Sequence, residues 1–121
     1  MMKTQNTILE MTIDFSLQII QLYKILVEKK EYVLSKQLLR CGTSIGANVE
    51  EANAGQSKRD FIAKMSIASK EARETKYWLR LLDKSQIVKQ DFTPYLIAIE
   101  HIINIITKIV KTSQEAKTAP A

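Results

Sequence analysis

Few side chains in this sequence have the type and spacing needed for catalysis or metal binding. The chain has one histidine, His101, and one cysteine, Cys41. Neighbouring carboxylates occur in two places, Glu50–Glu51 and Glu71/Glu74, but no second catalytic group accompanies either pair. Di-iron helical bundles need a Glu-x-x-His motif on two helices, and no glutamate lies three residues before His101. We therefore expect no enzymatic activity, no metal and no cofactor.

Positive charge is concentrated between Ser57 and Lys84. This segment has eight basic and four acidic residues, so it supplies +4 of the formal net charge of +5. A basic helix face that includes an aromatic ring can follow a phosphate backbone and stack a base. The residues predicted to bind nucleic acid are Lys58, Arg59, Lys70, Arg73, Lys76, Tyr77, Arg80 and Lys84. The alternative is a solvated face, eased by intrahelical pairs such as Asp60–Lys64 and Lys70–Glu74.

Polar residues form a stripe along the preceding segment. Spacings of four, four and three residues place this stripe on one helix face, beside an apolar one. Buried polar groups need hydrogen-bond partners, so we predict a partly buried network in which Asn48 connects neighbouring helices. Its predicted members are Arg40, Ser44, Asn48, Glu51, Glu71 and Glu74. Ligand binding and plain exposure to solvent are the alternatives.

A second apolar face accompanies the basic segment. Ile67, Trp78 and Leu81 lie away from the main apolar seam, on a helix face that steps by four, three, four and three residues through Glu71 and Glu74. Tryptophan is enriched at the energetic centres of protein interfaces. We predict that these three residues contribute to a self-association interface, and packing within one molecule is the alternative.

Apolar periodicity places all of these residues on four helices. The predicted helices cover about residues 7–30, 35–53, 57–84 and 93–112, followed by a frayed tail at 113–121. The apolar face of the first helix consists of Ile8, Met11, Phe15, Ile19, Leu22 and Leu26, widened by Ile13, Leu17, Ile20, Ile25 and Val27. The loops are short, so residues 1–121 should form a single all-α domain, an antiparallel up-down-up-down four-helix bundle.

Helix starts and close contacts also leave signals. Ser35, the S-x-x-D run beginning at Ser57, and Thr93 are predicted to cap the second, third and fourth helices. Gly42 and Gly46 lie one turn apart inside the second helix, where each costs about 1 kcal/mol relative to alanine. We expect them to mark a close approach of another helix.

Composition limits the class of protein. The 121 residues are 45% hydrophobic and 26% charged, which excludes a disordered polyelectrolyte. Three glycines and two prolines are too few for an all-β fold. The lone cysteine fits a reducing compartment, and the first residues do not resemble a signal peptide. The most apolar stretch, 95–110, contains charged residues, so we expect a cytoplasmic protein with no membrane contact.

Two runs of sequence resemble a known family. They are T-S-I-G-A-N-V-E-E-A from Thr43 and D-F-I-A-K-M-S-I-A-S-K-E-A-R-E-T-K-Y-W-L-R-L-L from Asp60. Both resemble bacterial four-helix bundle proteins encoded by intervening sequences within 23S ribosomal RNA genes. The resemblance extends from about Thr7 to Val110. It implies a homopentameric ring with a central opening and a relation to the accessory variability determinant of diversity-generating retroelements, which works with a reverse transcriptase and nucleic acid. It supplies no catalytic residues.

Together these patterns predict a non-enzymatic, homo-oligomeric helical bundle that binds nucleic acid, RNA in particular, through the basic faces of the third helix. The partners expected are other copies of the chain and RNA or DNA. The alternative function is a protein–protein scaffold, or an accessory subunit of a nucleic-acid enzyme, with no direct nucleic-acid contact.

Overall fold

The computed structural model describes residues 2–118, with side chains over 7–115. This part of the chain forms four α-helices and no strand: α1 (Met2–Glu28), α2 (Leu34–Asn53), α3 (Lys58–Ser85) and α4 (Thr93–Thr118). Helices α1 and α3 each pack against both α2 and α4. The all-α class and the four helices are thus as predicted from periodicity.

The end of α4 differs from its predicted position. The helix continues to Thr118, so the frayed tail predicted from residue 113 is corrected for residues 113–118, and 119–121 lie outside the described residues. The row of core-facing residues continues past residue 112, because Ser113, four residues after the buried Ile109, is also buried. The polar composition predicts a tail here, whereas packing against the core extends the helix.

The core is formed by one stripe from each helix. On α1 the stripe runs from Ile8 through Phe15 to Leu26. Apolar residues that were predicted to widen it face elsewhere: Ile13 is 46% exposed, Leu17 57% and Ile20 38%. The prediction that these three residues widen the buried face is therefore wrong, because α2 lies too close to α1 for a second row of side chains to be buried between them.

Two glycines account for that closeness. A Cβ atom on Gly42 would lie 3.0 Å from Ile19 Cγ2, and one on Gly46 would lie 3.3 Å from Thr12 Oγ1. Both distances are shorter than ordinary Cβ contacts, so an added side chain would have to displace Ile19 or Thr12, and α2 passes close to α1 here. The close approach predicted from the glycine spacing is confirmed, and its partner is α1.

The helix ends are capped by residues that only partly match the prediction. Ser57 Oγ accepts a hydrogen bond from the Asp60 amide at 3.1 Å, which confirms the cap of α3. At α2 the predicted cap, Ser35, is wrong, because Glu31 accepts bonds from the amides of Val33, Leu34 and Ser35. Glu31 lies three residues before the first residue of α2, whereas a serine cap immediately precedes its helix.

The cap of α4 is also displaced. Asp91 Oδ1 accepts a hydrogen bond from the Thr93 amide at 3.0 Å, and this bond lowers the pKa of the Asp91 carboxyl. Close by in the chain, Phe92 is fully buried and its carbonyl accepts bonds from the Tyr95 and Leu96 amides. The connection after α3 is thereby anchored to the core at both Val88 and Phe92.

The close α1–α2 contact can be tested by substitution. Replacing Gly42→Val should lower the free energy of unfolding by about 2 kcal/mol, because three added carbon atoms overfill the contact with Ile19. Ala47 is exposed on the same helix, so Ala47→Val should cost less than about 1 kcal/mol. Urea denaturation measures both. Equal losses for the two variants would contradict the close approach.

A second prediction concerns the end of α1. Lys30 has a left-handed backbone (φ 69°), and the Glu31 amide bonds back to Leu26 O at 2.9 Å. Glycine adopts this conformation without a Cβ clash, so Lys30→Gly should raise the free energy of unfolding by about 1 kcal/mol. The matched variant Lys29→Gly, at a residue without positive φ, should not raise it.

Candidate nucleic-acid interface

The core-facing positions of α3 determine where its basic residues lie. Met65, Ala68, Ala72, Thr75, Leu79 and Leu82 are buried. The charged residues between them are thereby turned toward solvent or the neighbouring helices. Of the eight residues predicted to bind nucleic acid, seven are exposed and Lys76 is half-buried.

Three of these basic residues line an open groove between α3 and α4. The groove has a volume of about 420 Å³ and includes Lys76, Arg80 and Lys84. Lys76 Nζ lies 2.7 Å from Glu100 Oε2 on α4, so its charge is neutralised. Arg80 and Lys84 have no ion-pair partner among the described side chains. Asp83 also lines this end of the groove, so two cations and one carboxylate leave it with a net positive charge.

A second groove continues along the same two helices. It has a volume of about 250 Å³ and is lined by Arg73 and Lys111 with serine, threonine and glutamine side chains. Arg73 Nη2 donates a hydrogen bond to Thr107 Oγ1 at 3.3 Å, which holds the guanidinium beside α4. Hydroxyl and guanidinium groups of this kind suit phosphate oxygens. The α3–α4 side therefore carries Arg73, Arg80, Lys84 and Lys111.

Lys111 is a groove residue that the sequence patterns did not single out. Its position four residues after Thr107 places both on one face of α4, which is a recognisable spacing. The sequence does not show that this face borders Arg73. By contrast, Lys58, Arg59 and Lys70 are exposed and lie outside the two grooves.

Two acidic residues of α3, Glu71 and Glu74, form ion pairs on the opposite side of the helix, toward α2. Arg40 forms ion pairs with both Glu71 and Glu74. Lys64 Nζ lies 2.8 Å from Glu51 Oε1. The intrahelical pairs proposed for a solvated face, Asp60–Lys64 and Lys70–Glu74, do not form within the described chain. Negative charge is thus neutralised beside α2, and positive charge remains in excess beside α4.

The predicted polar network is only partly assembled. Arg40, Glu71 and Glu74 come together as expected, and Glu51 reaches α3 through Lys64. Ser44 Oγ donates to Arg40 O at 2.7 Å, and Asn48 Nδ2 donates to Ser44 O at 2.8 Å. Both bonds stay within α2, so the expectation that Asn48 connects two helices is not met. The network is two ion-pair clusters rather than one continuous chain.

Aromatic residues border the Arg40 cluster. Trp78 Nε1 donates to Glu74 Oε2 at 3.1 Å, and its half-buried ring packs against the core. The Tyr77 ring meets Trp78 edge-on, with centroids 5.3 Å apart, and is 57% exposed. Tyr77 is accordingly accessible to solvent, and its stacking on a base stays a prediction. Of the three predicted interface residues, Ile67 is exposed while Trp78 and Leu81 are half-buried.

The residues weighed for catalysis are not assembled into a site. His101 is exposed on α4, and no group of three or more His, Cys, Asp or Glu able to hold a metal occurs among the described residues. Cys41 is fully buried, and this desolvation raises the pKa of its thiol. A raised pKa disfavours the thiolate, which is the reactive form of cysteine.

Comparison with known proteins gives a consistent family assignment. The family described as 23S rRNA-intervening sequence protein matches residues 4–108. No curated protein matches. The chain is similar to a solved structure of a protein with unknown function from the S23 ribosomal protein family of Bacteroides thetaiotaomicron, with 44% identity and a TM-score of 0.85. That similarity covers 89% of this chain and 98% of the other. With the sequence resemblance and the four helices in agreement, the chain belongs to the 23S rRNA-intervening sequence protein family.

Proposed function

We propose that this protein is a non-enzymatic, homo-oligomeric helical bundle that binds RNA through the basic side of α3. The observation that carries the proposal is the pair of grooves between α3 and α4, with Arg73, Arg80, Lys84 and Lys111 along them and one neutralising pair, Lys76–Glu100. The cytoplasm, away from membranes, is the proposed location.

The dimensions and chemistry of this side suit a nucleic-acid strand. Arg73 and Lys84 are eleven residues apart, which corresponds to about 16 Å along a helix, enough to contact several phosphates of one strand. Arginine and lysine bind phosphate through charge and read no base sequence. Tyr77, exposed on the same helix, is positioned to stack on an unpaired base. Binding should therefore depend weakly on sequence and strongly on salt.

We infer further that the helices run up-down-up-down. Contacts between α2 and α3 support this order, because Arg40 meets Glu74 whereas the later residue Glu51 meets the earlier residue Lys64. The same reversal relates Gly42 and Gly46 to Ile19 and Thr12, and Arg73 and Lys76 to Thr107 and Glu100. The core accounts for part of the apolar surface of α4. Thr93–Glu115 is long and apolar enough to cross a membrane, but Ile99, Ile102 and Ile106 are buried.

The proposed oligomer is a pentameric ring, as the family resemblance implies. Exposed apolar residues on α1 and α3 support self-association, since a monomer leaves Ile13, Leu17 and Ile67 in water. A ring of five chains would carry a formal charge of about +25 (5 × 5). That charge would attract RNA at long range and strengthen binding beyond one subunit.

A scaffold role is the alternative, and one observation favours it. The groove that contains Arg80 and Lys84 is also lined by Leu96 and Ile97, and Ile97 is 66% exposed. A phosphate backbone makes little use of these apolar side chains, whereas an acidic, amphipathic partner helix would cover them. A pull-down with nuclease treatment separates the two functions, because a partner retained without nucleic acid supports the scaffold.

RNA binding can be tested by filter binding of a single-stranded RNA at several salt concentrations. The double variant Arg73→Ala/Arg80→Ala should bind more weakly at low salt because two phosphate contacts are lost. At ~0.7 per contact for single strands, the slope of log K against log salt should fall by about 1.4.

The matched control removes the same charge elsewhere. Lys24 and Lys36 are exposed on α1 and α2, so Lys24→Ala/Lys36→Ala should keep most of the affinity and slope. If both double variants lose affinity equally, only net charge matters and the α3–α4 interface is wrong. Absence of binding to RNA and DNA at low salt would exclude the nucleic-acid function.

The oligomer has a separate test in light scattering coupled to size exclusion. The expected mass is about 69 kDa, five times 13.8 kDa, for the wild-type chain. A mass of 13.8 kDa at micromolar concentration would show a monomer and rule out the ring.

A further inference from the structure

An apolar patch on the outer side of α1 has no partner within the described chain. It consists of Ile13, Leu17 and Ile20, spaced by four and three residues, with exposed fractions of 46%, 57% and 38%. This spacing is the a/d repeat of a helix that packs against another helix. The core-facing stripe of α1 is a separate one, so the helix has two apolar seams and the fold buries one.

The shape beside this α1 patch is suited to an incoming helix. Ile13 and Leu17 form one wall of an open groove of about 440 Å³, and Gly46 and Ala47 of α2 form its floor. Residues with so little side chain allow a neighbouring helix to approach closely. Glu50 lines this groove, and exposed Glu10 lies three residues before Ile13; neither has an ion-pair partner among the described side chains. Exposed Lys24, four residues after Ile20, lies at the other end of the patch.

A second patch, on α3, has the opposite rim. Ile67 is 41% exposed, and the half-buried Leu81 lies on the same helix face. Each is followed three residues later by an exposed lysine, Lys70 and Lys84, without an ion-pair partner in the described part of the chain. Lys84 also lines the groove between α3 and α4, whereas Lys70 lies outside both grooves.

We propose that the α1 patch of one copy binds the α3 patch of a second copy, head to tail. The proposal rests on the self-association proposed above and identifies its two surfaces. Apolar residues would meet apolar residues, while Glu10 and Glu50 would face Lys70, which lies outside the RNA-binding grooves. Pairing of the α1 patch with itself would leave the α3 patch in water, whereas one head-to-tail contact covers both.

The positions of the two patches favour a closed ring. Both border α2: the α1 patch through Ala47, and the α3 patch through Glu74, which binds Arg40. Because both contact surfaces of a subunit lie beside α2, the angle between them is less than 180°. Each added subunit therefore turns in the same direction, and the assembly closes into a ring. Helix α2 then faces the centre, and the α3–α4 grooves with Arg80 remain accessible outside.

A mixing experiment distinguishes head-to-tail from self-paired contacts. Leu17→Arg and Ile67→Arg should each convert the wild-type oligomer to a 13.8 kDa monomer. Each variant keeps one intact patch, so an equimolar mixture at high concentration should form a 1:1 dimer of about 27.6 kDa (2 × 13.8). Ile97→Arg adds the same charge at an exposed isoleucine on α4 and should retain the wild-type mass.

The outcomes separate this inference from the oligomer itself. An oligomeric wild type with an unaffected Leu17→Arg variant would overturn the α1 surface while leaving self-association in place. A mixture that remains monomeric, or an Ile67→Arg variant that dimerises alone, would overturn the head-to-tail contact. A monomeric wild type would overturn both proposals. Circular dichroism melting checks that each variant folds. If Leu17→Arg loses helix, the variant Ile13→Gln takes its place in the test.

Discussion

The close contact between α1 and α2 is the constraint on which much of the structure depends. Gly42 and Gly46 bring α2 so near to α1 that Ile19 and Thr12 fill the remaining space. One row of α1 side chains can then enter the core, and a second row, which includes Leu17, is left outside. The cost of two glycines in a helix interior is offset by this packing, and the exposed apolar patch on α1 follows from the same geometry.

Helix α3 shows how packing separates charges that are interleaved in the sequence. Its acidic residues Glu71 and Glu74 turn toward α2, where Arg40 neutralises them. Its basic residues Arg73 and Arg80 turn toward α4, where Glu100 pairs with Lys76 only. A segment with a modest net charge thus gains one nearly neutral side and one positive side. Charges that alternate along the sequence are therefore separated onto different sides of the folded molecule.

The two proposals use different sides of this arrangement and are compatible. Self-association through the α1 and α3 patches would bury the surfaces that border α2, and RNA would bind along α4. Separation of these surfaces allows several copies to present their grooves to one strand, which raises affinity without a new type of contact. The family assignment is consistent with such a role and supplies no activity of its own, since its solved relative is described as a protein with unknown function.

Much of the local structure was determined by the sequence alone. Four helices, the cap at Ser57 and the close approach at Gly42 all follow from short-range periodicity and from the steric needs of single residues. Such signals are readable because their causes lie within a few residues of each other. The exposure of six basic residues of α3 and of Tyr77 was predictable for the same reason.

Only the tertiary structure decided the rest. It showed that Glu31 caps α2, that Leu17 faces solvent, that Asn48 stays within its own helix, and that Lys111 joins Arg73 in one groove. Each of these depends on which helices are neighbours and on how much room lies between them. A helical period defines which residues share a face, but several faces of α1 and α3 are apolar, and only packing selects the one that is buried.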